Sequence, residues 1–168
     1  MSNDPVETAW RIHEALVDWT GKVDQKASFA LTLESALIAG VVTMSGKEGP
    51  LSQLNGGDLA LGLYRGGVTA LIVATLCAVA AVIPRIRWRH IGSEAPEDFV
   101  YFGHLKDWTS KDLEGALRTR DVLPVLVRQH LRMSQIAYEK HLLVQVSLGF
   151  AVLASIALFA ATQLASTT

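Results

Sequence analysis

The chain is short of charge. Lys, Arg, Asp and Glu make up 18% of its 168 residues, where a soluble domain carries about 25%. The formal net charge of −1 gives no global case for binding nucleic acid. Cysteine is nearly absent: Cys77 stands alone inside an apolar run. An intrachain disulfide is therefore excluded, and Cys77 reads as a small lipid- or core-facing side chain. Catalytic signatures are missing as well. No His, Cys, Asp and Glu cluster has metal-ligand spacing, and no P-loop or nucleophile motif is present. His13, His90, His104, His130 and His141 are scattered; His130 and His141 fall on nearby helical faces, but two histidines do not make a zinc site. We read no enzyme and no cofactor. Repeats and low-complexity tracts are absent, and Met1–Lys26 is polar and amphipathic, unlike the basic-then-apolar pattern of a signal peptide.

What the chain has instead is apolar length. Half of it is hydrophobic and its mean hydropathy is +0.29. A bilayer span needs about 20 mainly apolar residues, and three segments qualify: 27–45, 63–83 and 142–164. The second could begin nearer Leu59, with Arg65 reaching back to the interface and Tyr64 in the aromatic belt. The remaining segments are an N-terminal amphipathic helix (1–26), a loop (46–62), a polar insert (84–141) and a short tail (165–168). Lys and Arg set the orientation. Arg11, Lys22 and Lys26 precede span one, Arg85, Arg87 and Arg89 follow span two, and Arg128, Arg132 and Lys140 precede span three. The N-terminus and the insert are thus expected in the cytoplasm, and the 46–62 loop and the C-terminus outside.

Helix signals continue beyond the spans. Asp4-Pro5-Val6-Glu7 has a cap, a proline at the first helical position and a glutamate three after the cap. Ala9, Ile12, Leu16, Trp19 and Val23 then recur at spacings of three and four, as in a helix–helix seam. No further proline occurs before Lys47, so the helix is expected to run on into span one. Asp121 with Pro124 starts a second helix that continues into span three. Arg128, Arg132, Gln135 and Glu139 lie on one of its faces, with Leu123, Val127, Leu131 and Tyr138 on a more apolar one. Thr109-Ser110-Lys111-Asp112 caps a short helix over 110–119, and 92–106 reads as a loop or one helical turn. The fold class is an all-α membrane protein: three transmembrane helices, with helices 1 and 3 extending into a cytoplasmic bundle.

Short blocks then suggest a family. Asp24-Gln25-Lys26-Ala27-Ser28 stands where span one begins, and Pro84-Arg85 where span two ends. Tyr101-Phe102-Gly103-His104-Leu105 and Gln129…Ser134-x-Ile136…Lys140 follow in order. Together they resemble the small transmembrane effectors of the bacterial Pycsar anti-phage system, over about Ala9 to Phe150. The resemblance implies a partner cyclase that makes cUMP or cCMP during infection, and an effector that responds by damaging the inner membrane. Three thin spans per chain cannot enclose much of a pore, so such disruption is expected to require a homo-oligomer. The chain carries no β-rich nucleotide-binding domain with a Gly-rich phosphate cassette, so a ligand site would be built from helices.

Such a ligand wants Arg or Lys for its phosphate and an aromatic plane for its base. The candidates are Lys26, Tyr101, Phe102, His104, Arg128, Arg132 and Lys140; the plainer reading makes the aromatics core and the arginines solvated or lipid-facing. Asp24 and Lys26, two apart, do not share a helix face. Asp24 is expected to reach another helix, for instance an arginine of 128–140, as a structural tie. Arg85, Arg87 and Arg89 read as an anchor to anionic lipid. Glu34 lies about 10 Å deep in span one, where a carboxylate is costly. Gln145, at comparable depth in span three, could hydrogen-bond it, either for helix packing or at an opened pore. The competing functional class is a constitutive membrane scaffold, for plasmid transfer or secretion, that binds a protein partner through the Ala9–Val23 seam.

Overall fold

The computed structural model describes residues 4–46, 49, 57–84 and 99–166. Five helices carry the described chain: α1 (Pro5–Met44), α2 (Gly57–Val82), α3 (Phe102–Leu105), α4 (Ser110–Thr119) and α5 (Val122–Ser166). No strand occurs among the described residues. Three helices, α1, α2 and α5, are long and apolar enough to cross a membrane. This is an all-α membrane protein. Arg85, Arg87 and Arg89, and the 92–98 part of the expected loop, lie outside the described residues; the 102–105 part forms the single turn α3.

The helix starts follow their sequence signals. Asp4 Oδ1 accepts the Val6 amide at 3.0 Å, Asp121 Oδ1 accepts that of Leu123 at 3.0 Å, and Thr109 Oγ1 accepts that of Asp112 at 3.2 Å. Each satisfies an amide that has no partner inside its own helix. Glu7 does not complete a capping box; it pairs instead with Arg11 at 2.6 Å. The helix α1 runs 40 residues and α5 runs 45, about 60 and 68 Å. Both are about twice the thickness of a hydrocarbon core, so each has some 20 residues to spare.

The chain divides into two compact units, Met1–Lys22 with Pro84–Tyr138, and Val23–Ile83 with Glu139–Thr168. The first, polar unit has a core of Phe99, Ala116 and Val125, with Val100, Leu105, Trp108, Leu113 and Val122 packed on it. The second, apolar unit has two clusters. Val23, Ala27, Ala81 and Val144 form one. Leu71, Ala154 and Leu158 form the other, with Tyr64 against them. Tyr64 packs against this cluster through its ring, and its hydroxyl lies 2.9 Å from Ser45 Oγ. Large apolar side chains such as Phe29, Val42, Leu76, Ile156 and Phe159 point outward, far more than a soluble surface exposes.

Burial corrects the expected seam. Ala9, Leu16 and Val23 are buried, but Ile12 is 47% exposed and Trp19 56%. The covered line runs through His13 and Thr20, both half-buried, and on through Ala27, Ala30 and Glu34. Its spacing alternates four and three without a break. On α5 the buried positions Leu126, His130, Ala137, Lys140, Val144 and Ser147 keep the same rhythm, with half-buried Met133 between His130 and Ala137. The expected apolar face of α5 points outward instead, with Val127, Leu131 and Tyr138 exposed. This is coiled-coil spacing, and it selects small and polar residues where simple hydrophobicity selects Ile, Trp and Tyr.

Candidate functional site

In the polar unit, α1 and α5 meet through histidines. The rings of His13 and His130 lie 5.7 Å apart, and Trp10 closes edge-on over His13 at 5.5 Å. His13 Nδ1 and His130 Nε2 are buried without a hydrogen-bond partner among the described residues. Burial pushes the His130 imidazole below its ordinary range, and a charge on His13 would push it the same way. The ring that His130 meets is thus that of His13. No group of three or more His, Cys, Asp or Glu side chains among the described residues could hold a metal ion.

The Tyr101–His104 block folds on itself. The tyrosine ring lies where a Cβ of Gly103 would stand, which explains glycine at that position. It meets His104 edge-on at 5.2 Å. His104 is buried, and its Nδ1 has no partner among the described residues. The Phe102 side chain lies outside the described residues. Arg128 is exposed and Arg132 half-buried on α5.

A groove lies along one face of α4. It is open to solvent, has a volume of about 550 Å³ and is lined by Asp107, Trp108, Lys111, Asp112, Gly115, Ala116, Thr119 and Arg120. Positions 112, 115, 116 and 119 share a helical face, and three of the four are Gly, Ala or Thr, which leaves room beside the indole. Above it the Arg120 guanidinium sits 5.7 Å from the centre of the Trp108 ring. Phe99 packs edge-on against the same indole at 6.2 Å.

In the apolar unit, two polar pairs join α1 to α5. Lys140 Nζ donates to Asp24 Oδ1 at 2.6 Å. The expected tie of Asp24 to the 128–140 helix is present, but through lysine instead of arginine. Lys140, a candidate phosphate ligand, is buried in that pair, and Lys26 is exposed. Deeper, Ser147 Oγ donates to Glu34 Oε1 at 2.5 Å, and Glu34 is fully buried. Its Oε2 has no partner among the described residues. Gln145 is exposed and is not the partner of Glu34; 145 is off the buried line that 147 occupies.

Of the sequence candidates, then, Tyr101 meets His104 and Asp24 meets Lys140. Sequence reasoning missed Trp108, Lys111 and Arg120, and the roles of His13, His130 and Ser147. The unbroken four–three line from Ala9 to Glu34 was the signal for His13. For the groove, the signal was the Gly/Ala/Thr face of a helix flanked by Trp108 and Arg120.

The family model of the Pycsar effector protein domain, PycTM, matches residues 8–167, nearly the whole chain. No curated protein and no solved structure matches it. With three helices fit to cross a membrane and a match from α1 to the end of α5, the chain belongs to the Pycsar effector family of anti-phage proteins.

Proposed function

We propose that the protein senses a cyclic pyrimidine mononucleotide, cUMP or cCMP, with its polar unit, and disrupts the bacterial inner membrane as a homo-oligomer. The nucleotide is the product of a partner cyclase. The N-terminus and polar unit face the cytoplasm, and the lipid bilayer is the target. The observation that carries this reading is the continuity of α1 and α5, each of which belongs to the polar unit at its start and to the apolar unit at its end. A change in helix packing at one end is then a change in the direction or rotation of the same helix at the other. Moving such an equilibrium from about 1:99 to 99:1 requires the nucleotide to favour the active packing by about 10⁴-fold.

Oligomerisation follows from size, because three thin helices enclose no pore. The exposed Ile12 and Trp19, seven residues apart on α1, offer an apolar face to a neighbouring copy. The test is calorimetric titration of the purified protein with cUMP and cCMP. Saturable binding of one of them is expected; no heat and no thermal shift with either sinks the reading.

A further inference from the structure

Two of the residues first suggested by sequence are engaged elsewhere: Lys140 pairs with Asp24, and Tyr101 covers Gly103 and meets His104. The α4 groove has the required chemistry in one place. We propose that it is a nucleotide-binding site, in which Arg120 and Lys111 hold the phosphate and the base lies along the Trp108 indole. The proposal rests on the nucleotide-sensing reading and gives that reading a location.

Three features of the groove support it. Its volume of about 550 Å³ falls within the roughly 300–1,000 Å³ of small-molecule sites. The guanidinium held over the indole loses little freedom on meeting a phosphate, and its planar fork suits paired phosphate oxygens. The charges also come in both signs: Lys111 and Arg120 suit an anionic phosphate, while Asp107 and Asp112 can only accept hydrogen bonds when ionised. Pyrimidine bases offer N–H donors on their edges, so phosphate at the cations and base edge at the carboxylates satisfies both. Inorganic phosphate or a lipid headgroup shares the anionic part but has no flat ring for Trp108.

Gly115 supplies a test that leaves the core alone. A Cβ built there meets nothing within 4 Å, so Gly115→Leu starts a side chain into the groove from an unobstructed position. The helix itself gains from losing an internal glycine. Calorimetry on the full chain in nanodiscs, with cUMP and cCMP as probes, is the experiment. Gly115→Leu and Arg120→Ala are each expected to weaken binding by about tenfold or more, as for loss of a charge-assisted contact. The melting temperature of Gly115→Leu should be unchanged or raised, and millimolar inorganic phosphate should not compete. If wild type binds a nucleotide and both variants bind it equally well, the groove is not the site, although the sensing reading stands. Binding that phosphate alone abolishes also overturns the base-stacking assignment. If wild type binds neither nucleotide, the groove proposal and the reading fall together.

Discussion

Lys140 and Asp24 form an unequal pair: at 2.6 Å, the lysine side chain is 7% exposed and the aspartate 43%. The two halves therefore differ in what they leave behind. Asp24→Asn strands a buried ammonium and is expected to cost about 1–3 kcal/mol, less than the loss of a fully buried pair because water reaches Asp24. Lys140→Met removes the buried charge and leaves a carboxylate that water can solvate, for less than about 1 kcal/mol. Denaturant unfolding in detergent compares them. An equal or larger cost for Lys140→Met would contradict the assignment.

A second prediction concerns Glu34, whose only described partner is Ser147 Oγ. Ser147→Ala leaves both carboxylate oxygens buried without a donor and should cost about 1–3 kcal/mol. Glu34→Gln keeps the contact without the acidic group, and should be milder than Ser147→Ala. Gln145→Leu, at an exposed position, should lie within about 0.5 kcal/mol of wild type. A large effect at 145 and none at 147 would restore the partner that depth alone suggests.

How far the sequence could be read depended on which physical rule applied. Helix starts at Asp4, Thr109 and Asp121 were legible because a cap is a local bond between near neighbours. The long helices were legible because apolar length is additive along the chain. Partners across helices were less so. Depth pointed Glu34 to Gln145, but rotation about the helix axis decides contact, and two residues of offset turn a side chain away. The seam failed at Ile12 and Trp19 because the covered line of α1 passes through the neighbouring positions His13 and Thr20, which hydrophobicity alone does not mark. The α4 groove was missed because it is made by residues that are small, and small side chains give no signal until the fold places Trp108 and Arg120 beside them.

Adjacent glycines on α2 give a contrast. A Cβ at Gly67 would stand 2.8 Å from Leu158 Cγ and 3.3 Å from the Ala154 carbonyl, while one at Gly66 meets nothing within 4 Å. Gly67→Val should therefore push α2 and α5 apart and cost about 1–3 kcal/mol. Gly66→Ala should be neutral or stabilising by up to about 1 kcal/mol. Thermal melts of the two proteins settle the comparison; equal melting temperatures would mean the close approach at 67 is not present.

The polar unit should respond to pH through His130, which burial and His13 hold below the ordinary histidine range of about 6.5. On acidification the unfolded chain takes up this proton before the folded one does. Folding stability then falls as pH drops below about 6.5 and levels off below the folded value; it is fully recovered above about 6.5. His130→Gln should flatten the curve of melting temperature against pH between 5 and 8. A wild-type curve that rises toward acid pH would reverse the sign and rule this out.

The most direct test of the central claim is dye release from liposomes that carry the purified protein. Addition of cUMP or cCMP to the side bearing the polar unit is predicted to release the dye within minutes, with no release from protein-free liposomes or with the matching non-cyclic monophosphate. Liposomes that stay sealed at saturating concentrations of both cyclic nucleotides, with the protein folded and inserted, would contradict the account.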